Sequence, residues 1–122
     1  MPDPAVAAAL LSERVAQAQE QRAALVTAID DMRSARSLTF ADDEHDPEGS
    51  TVSLDQARDS ALLAQVDETL GELTAARQRL HDGTYGACER CGRPIPEGRL
   101  LVRPEARLCV PCAATPGSGP RR

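Results

Sequence analysis

The sequence predicts a mainly α protein: a long antiparallel helical hairpin, packed as a coiled coil, followed by a small finger built on four cysteines. Three observations carry this. The only four cysteines in 122 residues stand as Cys88-x-x-Cys91 and Cys109-x-x-Cys112, with seventeen residues between the pairs. Ahead of them, two stretches repeat apolar residues with alternating spacings of four and three. Aromatic residues number one Tyr, one Phe and no Trp, so Ala and Leu must supply the core, which suits long helices and does not suit a sandwich or barrel.

The first helix begins near the N-terminus. Asp3 is a natural N-cap and Pro4 fits the first helical turn, where its missing N–H costs nothing. Leu11, Val15, Ala18, Arg22, Leu25, Ile29 and Met32 then form a seam of 4-3-4-3-4-3 spacing, apolar except at Arg22. At about 34 residues and 1.5 Å per residue, this helix is expected to be roughly 50 Å long. Pro47 and Gly49 are expected to shape a turn and to stop the helix before them.

A second helix is expected to start at Ser53, capped by its hydroxyl, with Gln56 reaching back in a capping box. Its seam is Leu62, Val66, Thr69, Leu73, Ala76 and Leu80, with Leu63 and Leu70 widening the apolar face. Asp82-Gly83 ends it, with Gly83 beyond the last turn as the C-cap. Two seams of similar length joined by a polar turn bury each other best as an antiparallel hairpin within one chain, so a monomer is expected.

The turn itself is acidic. Asp42-Asp43-Glu44-His45-Asp46-Pro47-Glu48 places five carboxylates in seven residues. Such density costs repulsion unless something cationic receives it. A hard cation such as magnesium, basic side chains of a partner, or plain solvation all remain open on composition. The order of acidic positions does not follow the twelve-residue calcium loop. His45 reads as a loop residue and His81 as a helix-end residue.

The paired C-x-x-C motifs read as a metal site. Zinc takes four thiolates tetrahedrally at about 2.3 Å, and a two-residue gap lets one tight turn supply two of them. No apolar signal segment opens the chain, so disulfides of a secreted domain are the weaker reading. Gly86 and Gly92 flank the first pair, where the backbone must wrap sulfur closely and positive φ is useful. Pro111 stiffens the second turn. Ile95, Leu100, Leu101, Val102 and Leu108 are the aliphatic residues available to roof the site. Five such residues make too small a core. One structural zinc, held by Cys88, Cys91, Cys109 and Cys112, is therefore expected to supply most of the folding energy of this segment. Four protein ligands leave no open position for catalysis.

The expected division is residues 1–82 for the hairpin, with its tip at about 41–52, residues 83–113 for the zinc finger and 114–122 for a flexible tail. Charge divides along the same line. Residues 1–82 carry seven Arg against sixteen Asp and Glu, a net of −9; residues 83–122 carry seven Arg against three Glu, a net of +4. An acidic arm on a basic finger suits a partner with unlike charges in two places. No apolar run approaches the roughly 20 residues of a membrane span, and a cytoplasmic protein is expected. There is no nucleophile–base pairing and no glycine-rich phosphate loop, so an enzyme is not expected.

The stretch Gly83-Thr84-Tyr85-Gly86-Ala87-Cys88-Glu89-Arg90-Cys91-Gly92, then Ile95, Arg99-Leu100, Pro104 and Cys109-Val110-Pro111-Cys112, closely resembles the four-cysteine zinc finger of the DksA/TraR family. That resemblance covers residues 83–113 and extends more loosely through the hairpin, since the family places a long coiled coil before the finger. It implies a transcription regulator that binds bacterial RNA polymerase without specific DNA contact. The resemblance further implies that the coiled coil inserts into the secondary channel, so that acidic tip residues approach the catalytic centre. The family's tip pattern is Asp-Pro-x-Asp-x-Ala, and the matching stretch here is Asp46-Pro47-Glu48-Gly49-Ser50-Thr51. Asp46 fits, Gly49 stands at the second Asp and Thr51 replaces the Ala. A second register uses Asp43-x-x-Asp46 and puts Glu48 at the Ala position. The resemblance thus marks Asp46 first, then Asp43 and Glu48, as partner-binding residues. The alternatives are a zinc-capped coiled-coil adaptor and a nucleic-acid-binding zinc module. The latter would use Arg90, Arg93, Arg99, Arg103 and Arg107 on phosphates, against a pI near 5.0 and without a recognition helix.

Overall fold

The structure, a computed structural model, describes residues 3–42 and 48–115. It is mainly helical: α1 spans Pro4–Asp42, α2 Glu48–Asp82, α3 Glu97–Val102 and α4 Val110–Ala113. α1 and α2 pack as an antiparallel pair, with Arg22 of α1 beside Asp67 of α2. Their internal contacts divide the chain into one unit of Met1–Ala16 with Gly71–Arg122, and another of Gln17–Leu70. Among the described residues, no helix is long and apolar enough to cross a membrane.

Both outer helix ends form as their residues dictate. Asp3 Oδ1 accepts the Ala5 N–H at 2.9 Å, one of the donors that a helix start leaves orphaned. At the far end of α2, the Gly83 N–H reaches the Leu80 carbonyl at 3.4 Å and the Thr84 N–H reaches the Arg79 carbonyl at 2.9 Å. These are the two bonds of a Schellman motif. Gly83 sits at φ 83°, and a Cβ there would touch nothing. Backbone conformation alone, not crowding, selects glycine at this corner.

The inner start of α2 corrects the sequence reading. The helix begins at Glu48, five residues before Ser53, so Ser53 does not cap it. Gly49 likewise lies inside the first turn of α2 and not in the connection. No proline follows Pro47 in this stretch, and one glycine in a helix costs only about 1 kcal/mol. The hydrogen-bond ladder therefore runs back to the residue after Pro47, whose ring permits a helix to start but not to continue past it.

In the unit of Gln17–Leu70, Ala18, Ile29 and Val66 are buried, with Leu25, Met32, Leu63 and Leu70 half-buried. Arg22, the polar break of the first seam, stays at the surface and pairs through Nε with Asp67 Oδ1 at 2.6 Å. The second seam is displaced by one position near its start. Leu62 is 39% exposed, while Asp59 is 8% exposed. Along Asp59, Leu63, Val66 and Leu70, the spacing follows the same 4-3-4 rhythm one row over. Leu63 and Leu70 thus belong to the packed face and Leu62 to its rim. Asp59 keeps a charged neighbour, Arg58, with Nε 3.8 Å from its carboxylate.

In the other unit, Ala7 and Leu11 of α1 and Leu73 and Ala76 of α2 are buried, joined by Tyr85, Ile95, Leu100 and Pro104 of the finger. Arg14 Nη1 donates to the Val102 carbonyl at 3.1 Å, placing a cation at the C-terminal end of α3 where helix carbonyls lack partners.

Candidate metal centre

The first knuckle is a tight loop closed by its own backbone. The Cys88 N–H donates to the Arg93 carbonyl at 2.8 Å, the Gly92 N–H to the Cys88 carbonyl at 2.9 Å, and the Ile95 N–H to the Gly86 carbonyl at 2.7 Å. Ala87 and Pro94 form an antiparallel bridge at its base. Gly86 at φ 89° and Gly92 at φ 77° supply the left-handed backbone at either side. The second knuckle is the N-terminus of α4, with Cys109 as N-cap residue and Pro111 in the first turn. There the Ala113 N–H bonds the Cys109 carbonyl at 2.9 Å.

These two knuckles bring the four cysteine sulfurs within 4.8 Å of one another. Cys91 Sγ and Cys109 Sγ stand 3.7 Å apart, and all four cysteines are free. A tetrahedron with metal–sulfur bonds of about 2.3 Å has edges of about 3.8 Å. The separation therefore fits two ligands of one zinc and is far too long for a sulfur–sulfur bond. Among the described residues this is the one grouping of Cys, His, Asp and Glu that could hold a metal.

The protonation states prepare the same outcome. Burial pushes the Cys88 thiol up, but backbone hydrogen bonds from the Cys91, Cys109 and Arg90 positions and a side-chain bond with Cys91 outweigh it, lowering Cys88 to about 6. Cys112 is pushed up to about 12, first by its hydrogen bond with Cys109, then by burial and the remaining thiols. One thiolate held among neighbouring thiols cannot be matched by three more without a cation. Zinc supplies that charge. Four protein sulfurs close its coordination, so it is structural.

Around the knuckles, arginines do the work that a larger apolar core would do elsewhere. Arg90 Nη1 donates to the Cys112 carbonyl at 2.6 Å and to the Thr115 carbonyl at 3.3 Å, tying the first knuckle to the end of the second. Arg99 Nε donates to the Leu108 carbonyl at 2.9 Å, just before Cys109. Arg107 pairs with Glu89 at 3.6 Å and Arg103 with Glu105 at 3.8 Å. Four of the five arginines considered for phosphate contact are thus engaged inside the finger.

The roof differs from the expectation in two places. Ile95 and Leu100 are buried and Leu108 half-buried, but Leu101 and Val102 are 52% and 69% exposed. Residues 97–102 form the short helix α3, and its 3.6-residue period turns Leu100 inward and its two successors outward. Tyr85 and Pro104 take their place. The Tyr85 hydroxyl donates to the Pro104 carbonyl at 2.8 Å in a buried bond, and burial raises the tyrosine pKa. The signal for Tyr85 was present as the sole tyrosine of the chain, lying between two turn glycines.

Of the other expected site residues, Asp43 and Asp46 lie outside the described residues. Glu48 is the first residue of α2.

Residues 83–115 match the family described as the prokaryotic dksA/traR C4-type zinc finger. Protein TraR of Escherichia coli K12 is 36% identical over 58 residues, which cover 46% of this chain and 80% of TraR. The chain belongs to the DksA/TraR family. In that family, the RNA polymerase-binding transcription factor DksA of Caulobacter vibrioides is 38% identical over 53 residues, covering 43% of this chain and 32% of that protein. The solved structure of the transcription factor DksA2 from Pseudomonas aeruginosa aligns with a TM-score of 0.53 at 25% identity, over 93% of this chain and 88% of that one. Against several other curated relatives, the matching stretch spans 31% to 45% of their length.

Proposed function

We propose that this protein is a transcription regulator that binds bacterial RNA polymerase, entering the secondary channel with the acidic connection between α1 and α2 directed at the catalytic centre. The observation that carries the reading is the four-cysteine centre built directly onto the capped end of α2, in a chain whose relative DksA is named for binding RNA polymerase. A structural zinc with no open position supports regulation by binding and not catalysis. The role suits a cytoplasmic monomer.

Asp46 is the leading candidate for the working residue of the connection, with Asp43 and Glu48 beside it. Five carboxylates within seven residues of sequence, 42–48, suit a hard cation such as magnesium, which takes oxygen ligands, or basic side chains of the polymerase. Cys88, Cys91, Cys109 and Cys112 are the zinc ligands of this reading. The internal engagement of Arg90, Arg99, Arg103 and Arg107 counts against phosphate contact, and so against a nucleic-acid module.

The test is binding to purified RNA polymerase core, with promoter-complex lifetime as the second readout, for the intact protein and an Asp46→Asn, Glu48→Gln variant. The expected result is that both bind and only the intact protein changes the lifetime. Failure of the intact, zinc-loaded protein to bind core would overturn the polymerase reading and leave the zinc-capped adaptor in its place.

A further inference from the structure

The finger contains one charge relay that neither the zinc site nor the apolar core requires. Arg79 lies in the last turn of α2, its side chain only 13% exposed. Its Nη1 stands 3.7 Å from Glu89 Oε1, and its Nη2 donates to the Glu105 carbonyl at 3.4 Å. Glu89 lies between Cys88 and Cys91. Its other carboxylate oxygen, Oε2, stands 3.6 Å from Arg107 Nη1, and its backbone N–H donates to the Arg107 carbonyl at 2.9 Å. One carboxylate thus connects a helix end, the first metal knuckle and the strand of chain that leads to the second.

We propose that Glu89 is a positioning residue that couples zinc occupancy to the order of the last turns of α2. A guanidinium as sequestered as Arg79 is costly unless a partner compensates its charge. Glu89 can do so only where the knuckle holds it. The knuckle is a four-residue loop, and its shape is fixed when both of its cysteines are bound to one metal. With zinc in place, the carboxylate is held at Arg79 and α2 keeps its final turn around a neutralised charge. Without zinc, the loop relaxes, Arg79 loses its counter-ion and the guanidinium reaches for water. The turn that carries it then opens. Coupling of this kind is reciprocal: the factor by which bound zinc favours the Arg79–Glu89 pair is the factor by which the pair tightens zinc. The inference does not depend on any partner of the protein.

Full-length protein would be compared with E89Q, R79Q, the double variant and E97Q, the last altering an exposed glutamate of the same finger. Zinc affinity is read by competition with a colorimetric chelator, and α2 order by amide hydrogen exchange over residues 76–82. E89Q is expected to weaken zinc about tenfold, the lower end for residues that orient metal ligands. R79Q should do the same, and the double variant should lose no more than either single change, because the two act as one unit. In the wild type, removing zinc should speed exchange at 76–82 by about tenfold or more, as a local opening released from its tether. Unchanged affinity in E89Q overturns the proposal, as does exchange at 76–82 that is indifferent to zinc. Equal weakening in E97Q also overturns it, since the effect would then be the general charge of the finger. Additive losses in the double variant would do the same by showing that the two residues act separately.

Discussion

The helical arm and the finger solve the problem of a small core in opposite ways. Along α1 and α2, packing is spread thinly within the unit of Gln17–Leu70. Between residues 17 and 70, Ala18, Ile29 and Val66 are the buried apolar side chains among those described, and the rest of the seam is half-covered. Each contact there is weak and replaceable. The finger instead concentrates its stability in a few groups: four sulfurs, one buried tyrosine hydroxyl and arginines aimed at particular carbonyls. A distributed interface tolerates loss of one member. A concentrated one does not.

The largest effect expected from that contrast is loss of zinc. Cys88→Ser, or chelation of the wild type, should unfold residues 83–115, since structural zinc contributes on the order of 10 kcal/mol to domains of this size. The helical circular dichroism should mostly remain, while protease resistance of the finger is lost. Acid should reach the same end point. The Cys88 thiol is held below its ordinary value, so its contribution is full above about 9 and is lost as pH falls through about 6. Zinc release, followed with a colorimetric indicator, should therefore rise as pH falls, since protons compete with zinc for all four thiolates.

Next in size is Leu73→Ala. Leu73 is 2% exposed, and truncating a buried leucine costs about 2–5 kcal/mol, read as a lowered midpoint in urea. Tyr85→Phe should cost less, about 1–3 kcal/mol, by leaving the buried Pro104 carbonyl without its donor. Its effect should appear in the thermal midpoint of the zinc-loaded protein. Smallest is Arg22→Gln. The Arg22–Asp67 pair is short, but its side chains are 46% and 47% exposed, and exposed pairs contribute about 0.2–1 kcal/mol. A loss as large as that of Leu73→Ala would show that the arm, too, is held at single points.

The same contrast decides what could be read from the sequence. The finger's turns were legible because specific residues are required there: cysteines in pairs, Gly86 and Gly92 at positive φ, Gly83 at the helix exit. Asp3 was legible for the same reason. The arm was legible only as a period. Period fixes a face to within one row, which is why Leu62 reads as part of the seam that Asp59, Leu63 and Val66 occupy. It says little about where a helix starts, so Ser53 has the look of a cap although the ladder passes through it. Leu101 and Val102 read as roof residues because six residues are too few to announce a helix, and α3 turns them outward.

The corner at Gly83 has a consequence for length. The Thr84 N–H returns to Arg79, and Tyr85 is already buried one residue later, so no slack separates the helix from the finger. Each residue of an α-helix advances the chain by about 100° of rotation. A single residue inserted between Ala76 and Asp82 would therefore swing Arg79 and the corner off the face they now share, with nothing downstream to unwind the error. Helix and finger are in phase, like two parts of one reading frame. Changes of length near this joint are expected to survive only in steps that nearly restore the phase, such as about seven, eleven or eighteen residues.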